Sequence, residues 1–474
     1  MKINKNIFRA YDIRGIADPP TDLSEESIYL IGKGAGTYMQ EVYDTKTMAV
    51  GADNRLTSPK LKAAYIKGLM ETGIDVTDVG LTTSPMIYWS VCALEFDAGT
   101  NITASHNPKE YNGIKIVSKN AHSICGEELQ DILKIIEQQQ QTVAKAEVHA
   151  SKTKQGTIQT QNLWPQYLED LIKRIHPQRK LKIVVDAGNG TTSNFAPELL
   201  KKLDCEVVPL FCKLDGTFPN HEANPEDEKN MEDLKRTVLK EKADLGIGFD
   251  GDGDRIGIVD EKGKHYSADF LLYLLTKDLL TRQKKPQIVF DIKVSQAIIN
   301  QMKALGAVPV MSKTGHSFIE SKMKEIGAPL GGEVSGHMFF AENYYGFDDA
   351  FLAAGKIIEI LSKETHPFSQ LFNELPKTFT TPELRLPTSD DKKFEIVDRL
   401  VAHFTDKYEC ITIDGVRVHF DDNSWGAVRC SNTSPNLTLR FEADSEERLN
   451  EIKQIFIEQL KTFPEVDISP LTGS

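Results

Sequence analysis

The sequence predicts an α/β protein: three similar mixed domains with helices packed on a sheet, then a smaller C-terminal α+β domain. Three observations carry this. A chain of 474 residues exceeds what one hydrophobic core organises and points to roughly three to four domains. Apolar runs ending in aspartate recur as MAVGAD (Asp53), KIVVDAG (Asp186) and QIVFDI (Asp291), each followed by helix-like sequence, the alternation of a mainly parallel sheet. The C-terminal part abandons that alternation.

The elements follow in order. Domain 1 is expected over residues 1–150. Asp22 and Glu25 have the spacing of a capping box ahead of an apolar-periodic helix, Met48 to Ala52 reads as a buried strand, and Pro59 suits the first turn of the next helix. From Gln138 to Gln161 the chain is rich in glutamine, dotted with lysine and without apolar period, which marks the first boundary. Domain 2 is placed at 151–259 and domain 3 at 260–368. In each of the three units a later strand runs into an unusual polar loop: TASHNP, DGDGDR and GEVSGH. Their offsets from the three aspartates differ, so the repeat is architectural and not a solenoid period. Loops leaving the carboxyl ends of parallel strands are where open α/β sheets bind ligands, so a central cleft is the expected meeting point. Domain 4, at 369–474, follows the helix-like DDAFLAAGKIIEILS. It reads as a helix, two hairpin-like strands around Asp414 and Gly415, a strand pair flanking RCSNTSPN, and a final helix.

With 40% hydrophobic and 26% charged residues, the composition is that of a soluble globular protein, and no apolar stretch is long enough to span a bilayer, so no membrane role is expected. The opening MKINKNIFRAYDIRG lacks the apolar core of a secretory signal, which makes cytoplasmic residence the expectation. Cys92, Cys125, Cys205, Cys212, Cys410 and Cys430 form no CxxC pair and read as reduced, structural thiols. Lysine and arginine number 56 against 69 acids, a formal charge of −13. That sign is wrong for coating nucleic acid. An anionic small substrate requires a few basic residues to converge locally.

GFDGDGDRIGIV is the most informative stretch. Glycines between Asp250, Asp252 and Asp254 let the backbone turn tightly enough to aim three carboxylates at one hard cation. An EF-hand is the rival, since Glu261 falls where its last ligand would. Arg255, however, occupies its obligatory glycine position, and both flanks look β-like instead of helical. Magnesium fits best, because it takes a few protein oxygens and completes its octahedron with phosphate or water.

In TASHNP, Ser105 stands beside His106. Neighbours on an extended chain point to opposite sides, so His106 is a poor base for Ser105, and no G-x-S-x-G elbow is present. Read alone, the loop is a turn before Asn-Pro. Beside a magnesium loop, a phosphoryl group on Ser105 gains a partner that activates it for transfer. GGEVSGH offers Glu333, Ser335 and His337, a mixture suited to sugar hydroxyls. RCSNTSPN offers Arg429, Ser431, Asn432 and Thr433, a planar fork with small donors of the kind phosphate recognition uses. KTGH adds Lys313, Thr314 and His316. Each of these last three has a bland reading, as a solvated turn or a structural histidine.

FRAYDIRG, TASHNP, DGDGDR, GEVSGH and RCSNTSPN occur in this order, and together they resemble the α-D-phosphohexomutase superfamily over essentially the whole chain. FRAYDIRG, GEVSGH and the RFE after the last loop look like the bacterial phosphomannomutase/phosphoglucomutase branch. Phosphoglucosamine mutases usually open with a GTDGIRG-type segment, from which this chain departs. The resemblance implies four domains around a deep cleft and interconversion of hexose 1-phosphate and hexose 6-phosphate, of mannose and/or glucose. Ser105 would be carried as phosphoserine and, with Asp250, Asp252 and Asp254, would hold Mg2+. Glucose 1,6-bisphosphate or mannose 1,6-bisphosphate would serve as activator and intermediate. Glu333, Ser335 and His337 would read sugar hydroxyls, and Arg429, Ser431, Asn432 and Thr433 would grip the phosphate not being transferred. Tyr11, Arg14, Lys115, Arg255, Lys293 and His316 match further family positions.

As general acid and base the candidates are Lys115 and His337, then Arg14 and His316. A desolvated lysine near other cations is expected to have a lowered pKa. Two rival classes are a magnesium-dependent phosphatase and a sugar-phosphate-binding paralogue without transfer activity. Small-molecule sugar phosphates are the expected partners, and the sequence carries no signature of oligomeric state.

Overall fold

Three strands that run up to an aspartate organise the α/β part of the chain. In the computed structural model, which describes residues 3–144, 154–432 and 434–472, they are Thr47–Ala52, Lys182–Asp186 and Gln287–Asp291. Each is flanked on both sides by parallel neighbours. The first lies between Asp75–Leu81 and Ala98–Ile102, the second between Glu206–Leu210 and Leu245–Phe249, the third between Val308–Ser312 and Leu330–Gly332. Central parallel strands are covered on both faces, which is why these runs are apolar throughout instead of alternating. The intervening helices also correspond: Ser58–Thr72 and Ser84–Ala93, Ala196–Lys202 and Glu232–Glu241, Gln296–Ala304 and His316–Ile326. The three mixed α/β units expected from the aspartate-ended runs are present. The first two sheets become mixed by addition of the antiparallel strands Tyr111–Ser118 and Ile256–Asp260.

The chain divides into two compact units, Met1–Leu271 with Ser335–Gln370, and Leu272–Val334 with Leu371–Ser474. In the first, the helix Glu25–Tyr43 packs Ile28, Ile31 and Ala35 into one core with Leu61, Tyr65, Met48 and Val50. The Ile, Leu, Met and Val side chains among them each contribute about 1.5–3 kcal/mol on burial. The second holds the third set of parallel strands and a six-stranded antiparallel sheet, in which Trp425–Cys430 pairs with Val416–His419 and with Asn436–Ala443. The helices Lys393–Thr405 and Glu446–Leu460 close its core, with the Phe404 and Phe456 rings stacked at 4.6 Å.

One local expectation is corrected. The cap of the first long helix is Ser24, whose hydroxyl accepts from Ser27 N while Ser27 answers to Ser24 N. Asp22 instead accepts from Ile16 N and Asn4 Nδ2, tying down the opening strand. The glutamine-rich stretch begins within a helix. The helix Glu127–Ala144 runs into it, held by Leu129, Ile132, Leu133 and Ile136, and glutamine is itself a good helix former. Beyond residues 145–153, which lie outside the described residues, Ile158–Thr160 pairs in parallel with Asp75–Leu81.

All six cysteines are free thiols. Burial pushes Cys205 and Cys212 up to about 12, which leaves them inert, as structural thiols are. No described helix is long and apolar enough to cross a membrane.

Candidate active site

In the first two sets of parallel strands, both within the first compact unit, the third strand delivers the chemistry. Ala98–Ile102 leads to Ser105 and Leu245–Phe249 leads to Asp250, both at carboxyl ends of strands. Ser105 is 2% exposed, and its hydroxyl donates to Asp250 Oδ2 at 2.6 Å. Its backbone is left-handed, at φ 53°, and its N–H is taken by Thr103 Oγ1 at 2.9 Å. That turn corrects the expectation about His106. The chain here is not extended, and His106 Nδ1 lies 3.2 Å from Ser105 Oγ.

Asp250 also shapes its own loop, because Oδ1 accepts from the N–H groups of Gly253, Asp254 and Arg255 at 2.9, 3.1 and 3.1 Å. Two glycines are required. Gly253 sits at φ 78°, and a Cβ on Gly251 would fall 2.4 Å from Ser105 O. Asp252 Oδ2 accepts from Ser84 Oγ at 2.6 Å and from Lys115 Nζ at 2.8 Å, and Lys115 also pairs with Asp254 Oδ2.

The three carboxylates are fully buried and each offers an oxygen within 4.8 Å of the others. Asp252 Oδ1 is buried with no hydrogen-bond partner. Burial first, then the charges of Asp254 and Asp252, push Asp250 well above the usual carboxylate range. Asp254 is held well below it, because Lys115, His337 and Arg255 outweigh burial. An all-oxygen donor set, an orphaned carboxylate oxygen and mutual repulsion together fit a hard divalent cation.

Cations surround this cluster. Lys115, on Tyr111–Ser118, is buried. The lowering of its pKa expected from burial beside other cations does not occur: burial does act downward, but Asp252 and Asp254 outweigh it and hold the ammonium well above its ordinary range. Arg14 donates from Nε to Asp12 Oδ2 at 2.6 Å, and from Nη1 to Ala104 O and Asn107 Oδ1 at 3.2 and 2.8 Å. Arg255 reaches Glu226 Oε2 at 3.5 Å and His337 Nε2 at 3.3 Å. His337 Nε2 is also 3.4 Å from Asp254 Oδ1, and its Nδ1 meets Ser335 Oγ at 3.0 Å. Half-buried Tyr11 acts electrostatically on both Arg14 and Arg255.

Glu333, Lys293, Thr314, His316, Arg429, Ser431 and Asn432 belong to the second unit. Glu333 accepts from Gly315 N at 2.6 Å, just ahead of buried His316 at the start of its helix. Lys293 pairs with Glu383 at 2.7 Å, and Glu383 is held down at about 2, Lys293 and Arg385 outweighing burial. Asp414 Oδ2 accepts from both Thr314 N, at 3.0 Å, and Arg429 Nε, at 2.6 Å, and Asn432 Nδ2 donates to Thr314 O at 3.3 Å. The KTGH and RCSNTSPN loops are thereby joined. Lys393 clamps the latter through Ser431 O and Ser434 O, at 2.8 and 3.2 Å. Thr433 lies outside the described residues.

Sequence reading misses four supports: Arg55, Ser84, Lys393 and Asp414. Arg55 is buried and donates to four carbonyls of the Ser105 loop. Its only sequence signal is its place just past Asp53, at the end of a recurring strand.

Fold and site define a class: a multidomain α/β protein in which a buried serine faces a carboxylate loop competent to hold a divalent cation, with cations around both. The chain belongs to the phosphoglucomutase/phosphomannomutase family. It matches that family's alpha/beta/alpha domain I over residues 5–143, domain II over 165–263, domain III over 267–379 and the C-terminal domain over 383–459. It is 41% identical over 457 residues to a phosphomannomutase/phosphoglucomutase of Pseudomonas aeruginosa, covering 96% of each chain. Against a phosphoglucomutase of Neisseria meningitidis the identity is 38%, covering 98% of each chain. A crystal structure of a phosphoglucomutase/phosphomannomutase family protein from Burkholderia thailandensis superposes with a TM-score of 0.87 at 36% identity, covering 97% of this chain and 98% of that one.

Proposed function

We propose that the protein interconverts hexose 1-phosphate and hexose 6-phosphate, of mannose and/or glucose, through a phosphoserine enzyme and a 1,6-bisphosphate intermediate. The observation that carries the reading is the Ser105 hydroxyl, buried and bonded to Asp250 at 2.6 Å within the acidic loop, in a chain that matches all four family domains.

Asp250, Asp252 and Asp254 would hold Mg2+ beside the phosphorylated Ser105. When bound, the ion neutralises phosphoryl charge and draws electron density from the transferring group. In the first half, the P–O bond to Ser105 Oγ breaks as a new one forms to the free hydroxyl of the hexose monophosphate. That hydroxyl's proton leaves, and Ser105 Oγ regains one. In the second half the bisphosphate, turned end for end, returns its other phosphoryl group to Ser105. Arg255 and Lys115 stabilise the charge that spreads over the phosphoryl oxygens. For the proton, Lys115 is charged and suited to return it. His337, its Nε2 between a guanidinium and a carboxylate, is suited to receive it; Arg14 and His316 are the next candidates. Glu333, Ser335 and His337 read sugar hydroxyls, with Lys293, Thr314 and Tyr11 as further substrate contacts. Arg429, Ser431, Asn432 and Thr433 hold the other phosphate. Domains at 1–150, 151–259, 260–368 and 369–474 each supply one loop.

Phosphorus NMR tests this directly. The protein with Mg2+, a trace of glucose 1,6-bisphosphate and either mannose 1-phosphate or glucose 1-phosphate should yield the 6-phosphates without inorganic phosphate, and Ser105→Ala should not. Release of inorganic phosphate alone would make the protein a phosphatase. No conversion of either sugar would leave glucosamine 1-phosphate as the next substrate, then the binding-protein reading.

A further inference from the structure

Arg55 takes no part in the chemistry just described, yet it is one of the largest fully buried side chains in the protein. Its Nε donates to Asp53 Oδ2 at 3.0 Å. Nη1 donates to Pro108 O and Tyr111 O at 2.6 and 3.1 Å, and Nη2 to Ser105 O and Asn107 O at 2.8 and 2.6 Å. A guanidinium has five N–H groups, and all five are committed, four of them to the backbone of the loop that presents Ser105. Asp53 is itself fixed by Arg55 N at 3.0 Å and Ser58 Oγ at 2.5 Å. The guanidinium stacks over Phe218, 5.2 Å from the ring centroid.

The carbonyl of Ser105 is the critical contact. It receives Arg55 Nη2, and it also abuts Gly251, where a Cβ would come within 2.4 Å. Ser105 moreover holds a left-handed backbone that a side-chain-bearing residue keeps only when its surroundings impose it. Withdrawing the guanidinium therefore frees the serine to relax and changes its spacing to the acidic loop.

We propose that Arg55 is a positioning residue for phosphoryl transfer: it fixes the backbone of Ser105 at the distance from the Asp250 loop at which the phosphoserine reacts, without touching the sugar phosphate. The inference rests on Ser105 being the phosphoryl carrier. Lysine cannot replace it, since a compact ammonium with three donors cannot span four carbonyls.

The structure also supplies a test by chemical rescue. A cavity of about 220 Å3 lies against Arg55, Ser105, Asn107 and Phe218, with exposed Lys109 and Thr217 at its rim, so a small cation from solution can reach the place of a deleted side chain. Full-length wild type, Arg55→Lys and Arg55→Ala are phosphorylated with glucose 1,6-bisphosphate. The single-turnover rate of transfer to glucose 1-phosphate is then measured alongside steady-state kcat, KM and the melting temperature. Expected is a fall of about 100-fold in the transfer rate and kcat of both variants, the scale of an ångström misplacement, with KM changed less than about threefold. Millimolar guanidinium chloride should restore Arg55→Ala, and equal sodium chloride should not. Wild-type transfer rates in Arg55→Lys, a loss confined to KM, absence of guanidinium rescue, or failure of both variants to fold cooperatively would each overturn the proposal. A wild type that transfers no phosphoryl group would overturn the functional reading and the inference with it.

Discussion

Ser105 and Asp250 are joined by a 2.6 Å hydrogen bond across 145 residues of sequence, and the carboxylate that accepts it uses its other oxygen to gather three N–H groups of its own loop. Asp250 therefore has a structural duty that an amide can perform and an electrostatic one that it cannot. Asp250→Asn should keep the loop, because an Asn Oδ1 still accepts the N–H groups, while removing one negative charge from the cation site. The expected outcome is a kcat/KM loss of about 1000-fold, or about 4 kcal/mol of transition-state stabilisation, with Mg2+ affinity by calorimetry weakened and the far-ultraviolet circular dichroism unchanged. Turnover at the wild-type rate would remove Asp250 from the site.

Removal of the cation should be visible without any substrate. Three buried carboxylates within 4.8 Å repel one another, and Asp250 is displaced well upward by burial and by its two neighbours. A bound divalent ion relieves that repulsion in the native state alone. Saturation to 100 times the dissociation constant adds about 2.7 kcal/mol, so the melting temperature should rise with Mg2+ and fall back with EDTA. The triple variant Asp250→Asn, Asp252→Asn and Asp254→Asn should show no such response; a rise in that variant would place the binding elsewhere.

The acidic loop is the most legible part of the sequence, because glycines alternating with three aspartates serve little purpose except to turn the carboxylates toward a common point. The parallel strands are legible as apolar runs for the same reason that they are central: both faces are covered. The first cap is misread because Asp22 and Ser24 both suit an N-cap, and only the fold shows that Asp22 is occupied with Ile16 and Asn4. His106 is misread because the left-handed turn at Ser105 has no composition signal without a glycine. Arg55, Ser84, Lys393 and Asp414 are invisible for a deeper reason. Each acts through partners remote in sequence, such as Ser84 with Asp252 or Asp414 with Thr314, and no local pattern records such a pairing.

Arg429 should govern binding more than turnover. Its Nε is held by Asp414 at 2.6 Å and its Nη1 reaches Thr438 Oγ1 at 3.4 Å, so the orientation of the fork is set by the protein before any phosphate arrives. Arg429→Lys keeps the charge and loses the planar geometry. KM for the hexose phosphate should rise about 10- to 100-fold, or about 1.4–2.8 kcal/mol, with kcat changed only a few-fold. A fall in kcat at constant KM would instead assign Arg429 to the chemical step.

Asp349, a carboxylate outside the proposed cation ligands, gives a pH prediction. It caps the helix Ala350–Lys363 through Phe351 N and Leu352 N, and accepts from the hydroxyls of Tyr167 and Tyr344 at 2.7 Å each. Burial nonetheless dominates these bonds and raises its pKa from 3.8 to about 6. Between those values the native state binds more protons than the unfolded chain, so this group's contribution makes stability fall as pH rises through the window. Above about pH 6 the cost is complete, at most about 3 kcal/mol. Asp349→Asn preserves the cap, since asparagine is an equally good N-cap residue, and removes the charge that burial penalises. Urea midpoints at pH 4.5, 5.5 and 7 should therefore decline less steeply with pH in Asp349→Asn than in the wild type, whose other titrating groups remain common to both. If the two proteins show parallel pH dependences, the Asp349 carboxyl is not protonated in this window and the tyrosine hydroxyls compensate its burial fully.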